Sequence, residues 1–230
     1  MNPYLFIKGL LDFKKPGFVL VFSNNEFESR MRLDGIQREI RELESLFRNS
    51  IKFTFKHYKN ETAELTHLLV DQFAKRDYTN YECFVCVIIS RSEGGKILAS
   101  DSQLELSRMI SSFANNETLK KKPKIFVVQV CQDDEANDEA KSTRTNDTYQ
   151  SVAQAPGDSV CFYIEGSKSV FYGTKQQRFT FIQELFEFFN TSPSLTGFNE
   201  RVSTSIGKIG GSLVQEDPLV KKFQLKVNEF

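Results

Sequence analysis

The chain has no tryptophan, little proline and no surplus of charge. Its 30 basic and 30 acidic residues cancel. That argues against a nucleic acid or a membrane surface as a partner recruited by bulk electrostatics. No apolar run approaches the roughly 20 residues that span a bilayer. Residues 1–15 mix apolar and basic side chains and lack the uninterrupted apolar core of a signal peptide. Four cysteines, Cys83, Cys86, Cys131 and Cys161, are too few and too scattered for a disulfide scaffold. These shortages predict a cytoplasmic chain with reduced thiols. What it holds in quantity is phenylalanine, 22 residues, read as packing for the single core that 230 residues can support.

Strand-like and helix-like patterns alternate, which predicts an α/β domain with a mostly parallel sheet. Residues 17–22 form an apolar run closed by Ser23, Asn24 and Asn25. A helix is expected over 35–48, with Ile36, Ile40, Leu43 and Phe47 on one face. A second strand is expected over 52–58. Thr62 is placed to cap a second helix whose inward face carries Leu65, Leu68, Leu69 and Phe73. Residues 83–89 and 123–130 are continuous apolar runs, the pattern of strands buried on both faces. Between them, Leu106, Met109, Ile110 and Phe113 mark a third helix. Residues 132–158 turn sharply polar and lose all periodicity, as a long loop does. A strand over 160–165, a Phe-rich helix over 177–189, a helix carrying Phe198, Val202 and Ile206, and a last strand over 219–227 complete the pattern.

Two segments carry a resemblance. Tyr81-Glu-Cys-Phe-Val-Cys-Val-Ile-Ile-Ser90 followed by Arg91, Ser92, Glu93 and Gly94 is similar to a strand ending in Ser-His-Gly-Glu. Some forty positions on, Lys122-Pro-Lys-Ile-Phe-Val-Val-Gln-Val-Cys131-Gln132 is similar to a strand ending in Gln-Ala-Cys-Arg-Gly. Both belong to the caspase family. Residues 18–25, 73–77, 181–183 and 218–230 resemble further family segments in the same order. The resemblance implies a caspase fold: a six-stranded central sheet, mostly parallel, with helices on both faces. It also implies a large-subunit-like part (1–131), a polar linker (132–158) and a small-subunit-like part (159–230).

For the chemistry, the comparison is negative. The family needs a thiolate nucleophile and an imidazole that carries its proton. Cys131 stands at the nucleophile position, but Arg91 stands at the histidine position. A guanidinium stays protonated and is no general base. The chain's only histidines, His57 and His67, fall on the second strand and the second helix. Ser92 takes the place of a glycine whose N–H the family uses for the oxyanion, and it keeps that N–H. Of the residues that grip a substrate aspartate, Gln129 is retained, while Gly173 aligns with one arginine and Leu33 with the other. Arg32 lies one position from the latter. Gln132 replaces the arginine after the cysteine.

The resemblance thus implies a pseudo-caspase that regulates apoptosis by pairing with, and activating, an intact caspase paralogue. The alternatives are a decoy inhibitor, a homodimer, or a weak cysteine endopeptidase. Pairing would use the last strand, with Val220, Phe223, Leu225 and Val227. Lysines on that strand discourage indiscriminate pairing. Asp138 and Asp147 are candidate cleavage sites in the polar loop. No cofactor or metal is expected: Cys83 and Cys86 form a CxxC within a strand, where side chains alternate between faces. The cluster Asp133, Asp134, Glu135 and Asp138 reads as a solvated loop. The segment before the domain is too short for a recruitment domain, so the chain reads as a bare or trimmed core.

Overall fold

The computed structural model describes residues 16–28, 33, 35–50, 52–93, 96–122, 124–132, 159–167 and 212–214. In chain order the strands are β1 (Phe18–Ser23), β2 (Thr54–Lys59), β3 (Phe84–Glu93), β4 (Lys96–Leu98), β5 (Gln103–Leu104), β6 (Lys124–Gln132), β7 (Ser159–Ser167) and β8 (Ser212–Val214). The helices are α1 (Ile36–Glu44), α2 (Ala63–Ala74) and α3 (Leu106–Ser112).

Six strands form the main sheet in the order β2-β1-β3-β6-β7-β8. All neighbours in it are parallel except β8, which closes antiparallel on β7. A mostly parallel six-stranded sheet is the expected one, but its sixth strand here is β8, a segment for which the sequence predicts no strand. β1 is buried at all six positions and β3 at nine of ten, as central strands covered on both faces must be. The small hairpin β4–β5, which extends the end of β3, is absent from the sequence reading. Elements of two or three residues are too short to show a period.

The two faces of the sheet are distinct. One carries Phe18, Leu20, Phe22, Phe84, Cys86, Ile88, Phe126, Val128 and Val130, packed on α2 and α3. Phenylalanine does here what its abundance suggests. Phe84 lies 4.3 Å from the ring of Phe113 and 6.1 Å from that of Phe126, and Phe18 meets Tyr78 edge-on at 5.5 Å. The alternate residues, Val19, Val21, Val87, Ile89 and Val127, face the other way. α1 covers that side, since its Glu39 is bonded to Gln129 of β6. Helices therefore lie on both faces.

Local signals place these helices. Gly35 precedes α1 at φ 109°, a conformation that suits a residue without Cβ. The expected helix over 35–48 ends its α-helical part at Glu44 and continues as a wider π-type turn, Ser45–Ser50. Thr62 caps α2, its hydroxyl accepting from the Leu65 N–H at 3.2 Å. The expected inward face of α2 needs correction. Ala63, Thr66, His67, Val70 and Phe73 are buried, whereas Leu65 and Leu68 are 39% and 63% exposed. Phe73 is anchored against Phe18 and Tyr58. Stepping back from it by threes and fours reaches Val70, Thr66 and Ala63, and leaves Leu68 about 140° around the helix.

The expected helices over 177–189 and around Phe198, Val202 and Ile206 lie outside the described residues, as does the strand over 219–227. So do Arg32, Asp138, Asp147, Gly173, Val220, Phe223, Leu225 and Val227. Of the polar segment 132–158, only Gln132 is described, as the last residue of β6.

Candidate functional site

The C-terminal ends of β3 and β6 bring Arg91 and Cys131 together. The two are register partners on adjacent parallel strands, so their Cα atoms stand about 4.8 Å apart. Alternation from Val128 and Val130, which face the aromatic core, puts Cys131 and Gln129 on the opposite face. Arg91, in the row of Cys131, shares it. Cys131 is 2% and Arg91 5% exposed. A guanidinium this buried must be compensated by charge or hydrogen bonds.

One row earlier on β6 stands Gln129. Its Nε2 donates to Oε2 of Glu39 at 3.0 Å, with both residues buried. Glu39 is absent from the sequence reading, though its spacing carries a signal. It lies three residues after Ile36 and four before Leu43, a charge on the apolar stripe of α1.

Asn25 is the second residue missed. Its neighbour Asn24 continues the β1–β3 ladder, its N–H donating to the carbonyl of Ile89 at 2.9 Å. The side chains of Asn24 and Ser90 both donate to the Leu98 carbonyl, so they share a side. Asn25 follows just beyond β1, its N–H donating to Asn60 Oδ1 at 2.8 Å. It is 3% exposed, and its Oδ1 has no hydrogen-bond partner among the described residues. Its carbonyl accepts from the Leu33 N–H at 3.0 Å, which brings the buried Leu33 to this edge.

Neither histidine reaches Cys131. His57 on β2 is paired with Val21 of β1 and held by a 2.8 Å hydrogen bond to Ser23 Oγ. The registers put it three strands from β6 and level with Val127. That separates it from Cys131 by roughly 20 Å. Burial lowers its pKa, and Lys59 adds to this against the pull of Glu44. His67 lies on α2, with the sheet between it and the Cys131 face. Its pKa is also lowered, by burial first and then by Arg108.

Ser92 is buried and paired with Ile97 of β4. As the next residue along β3, it turns its side chain away from the Arg91 side. All four cysteines are free and buried. Burial pushes the Cys83 and Cys161 thiols up to about 12, and raises that of Cys86 as well.

The caspase domain family model matches residues 16–216, so the chain belongs to this family. It is 27% identical to Caspase-7 of Gallus gallus over 150 residues, covering 62% of this chain and 48% of that protein. With Caspase-6 of Gallus gallus it shares 27% over 132 residues, 56% of this chain and 43% of the relative. The chain thus spans about half the length of these curated relatives. Caspase-3 of Mus musculus matches at 23% over 173 residues, 73% of this chain and 62% of the relative. Among solved structures, one described as the structure of pro-sf-caspase-1 superposes with a TM-score of 0.63 at 17% identity. It covers 88% of this chain and 92% of the other, and that likeness establishes the fold.

Proposed function

We propose that the chain is a catalytically inactive caspase homologue that regulates apoptosis by pairing with an intact caspase and activating it in the cytoplasm. The observation that carries this reading is the residue beside Cys131. The register partner on the neighbouring strand is Arg91, and the only two histidines of the chain lie elsewhere. A thiol hydrolase needs a group that removes the thiol proton and returns it to the leaving amine. Arginine holds its protons throughout the physiological range and does neither. The fold, by contrast, is kept. A chain with the scaffold and without the base acts through what it binds. In this reading residues 218–227 pair with their counterpart in the partner. The complex favours the partner's active arrangement by population shift, which requires only that the chain bind that arrangement more tightly than the inactive one.

Two measurements test it. Fluorogenic peptides containing aspartate should show no turnover, and turnover abolished by Cys131→Ala would overturn the loss of catalysis. Added to intact caspases of the same organism, the chain should raise their rate at substoichiometric partner concentrations. A lowered rate would mark a decoy, and an unchanged rate with no complex on gel filtration would overturn the pairing.

A further inference from the structure

The solvent side of α2 joins two features that the packing of the core does not use. Leu65 and Leu68 are neighbours one turn apart, and both are exposed. Leu68 shares its line along the helix with Lys75, since seven residues turn about 700° and rise about 10 Å. Lys75 enters a groove of about 560 Å³ between the C-terminal ends of α2 and α3, lined also by Asp71, Arg76, Asp77, Asn115 and Glu117. That is the volume of an ordinary ligand pocket. The charges of the groove are not balanced alike. Asp71 is paired with Arg108 at 3.0 Å, Glu117 faces Lys120 at 3.5 Å, and the Asp77 carboxylate accepts from the Thr79 N–H and hydroxyl at 2.7 and 2.6 Å. Lys75 and Arg76 have no carboxylate partner among the described residues. The Arg76 guanidinium is set over the Phe18 ring, 4.9 Å from its centroid, and gives a 3.5 Å hydrogen bond to the Tyr81 hydroxyl. A guanidinium has five donors, so its position is fixed while its capacity to bind an anion is kept.

We propose that this face of α2 docks an acidic peptide segment of a partner protein, with apolar side chains on Leu65 and Leu68 and carboxylates on Lys75 and Arg76. A basic segment would add cations to two that are already uncompensated. A wholly apolar one would take those two out of water without a partner. An extended segment covers the distance from Leu68 to Lys75 in about three residues. The sheet lies between this surface and the Cys131 face, and the inference stands whether or not the chain pairs with another caspase.

The test uses the full chain and fluorescein-labelled peptide amides, with binding read by fluorescence anisotropy. The probe is Leu-Ser-Leu-Ser-Gly-Glu-Ser-Glu, which carries the apolar and acidic groups at that spacing. One control has lysine for both glutamates, and a second has serine for both leucines. The probe should bind at least about tenfold more tightly than either control, and less tightly as salt is raised. Lys75→Glu should weaken it at least about tenfold and Leu68→Ser at least about fivefold. Both side chains are exposed, so urea midpoints of the variants should match that of the native chain. Equal binding of the lysine control, no loss in Lys75→Glu, or no binding of the probe would overturn the proposal. Self-association of the chain that Leu68→Ser abolishes would assign the face to a second copy and overturn it as well. The ranking of the three peptides on the native chain decides the matter even where a variant fails to fold.

Discussion

The two faces of β3 and β6 are built from alternate residues of the same strands, yet they do different work. One face is phenylalanine and valine against α2 and α3, with no charge in its central rows. The other begins just as apolar, at Val85, Val87 and Val127, and turns polar only in its last two rows, at Gln129, Arg91 and Cys131. The lesson is one of separation. Burial on the aromatic face holds the sheet together, and this lets the opposite edge carry polar groups that a marginal core could not tolerate. The fold is therefore kept whatever side chains stand at that edge, here Arg91 beside Cys131.

Four measurements would break or sharpen this contrast. The largest expected effect concerns the thiols. Cys83 and Cys161, pushed up to about 12, should react with iodoacetamide about a thousandfold more slowly than an ordinary thiol near neutrality. Cys131, at the polar edge, should be labelled first, and peptide mapping that finds all four equally labelled would erase the distinction between the faces. Next in size is the aromatic face itself. Phe84 contacts the rings of Phe18, Tyr78, Phe113 and Phe126. Phe84→Ala should cost about 3–5 kcal/mol in urea unfolding.

The polar edge should cost less to disturb. Glu39→Ala strands the buried Gln129 amide and should lose about 1–3 kcal/mol in the same experiment. A loss as large as that of Phe84→Ala would mean that the edge shares the work of holding the sheet. The smallest effect is on pH dependence. His57 and His67 both have folded pKa values below the ordinary 6.5, burial being the first cause in each. The unfolded chain then takes up protons more readily. The neutral histidines contribute stability that is fully present above about pH 6.5 and is lost as the pH falls through the lowered folded values. For His67 the facing groups are Arg108, Glu105 and Asp71, of which Arg108 reinforces the shift and the two carboxylates oppose it. Urea midpoints measured between pH 7.5 and 5 should fall for the native chain, and His67→Gln should flatten part of that slope.

Much of this fold was legible in the residues. The buried strands announced themselves as continuous apolar runs at 83–89 and 123–130, because a strand covered on both faces has no reason to alternate. Thr62 marked the start of α2, since a hydroxyl there satisfies a helix-end N–H that has no partner inside the helix. The inward face of α2 holds at Leu69 and Phe73 and fails at Leu65 and Leu68, because hydrophobicity weighed more than the small Ala63 and Thr66 that fit beneath the sheet. Spacing chose the face, and hydrophobicity alone did not.

The candidate site divides in the same way. By itself the sequence determined which residues are available: one cysteine in a motif-like setting, an arginine at the end of the strand before it, and two histidines in other elements. Residue identity along one strand is enough for that. Only the tertiary structure decided that Arg91 and Cys131 share a row, that His57 stands three strands away, and that Glu39 of α1 meets Gln129 of β6. Strand register and helix placement are properties of pairing between segments tens of residues apart. No single stretch of chain encodes them, because they are set by the burial that all the segments achieve together.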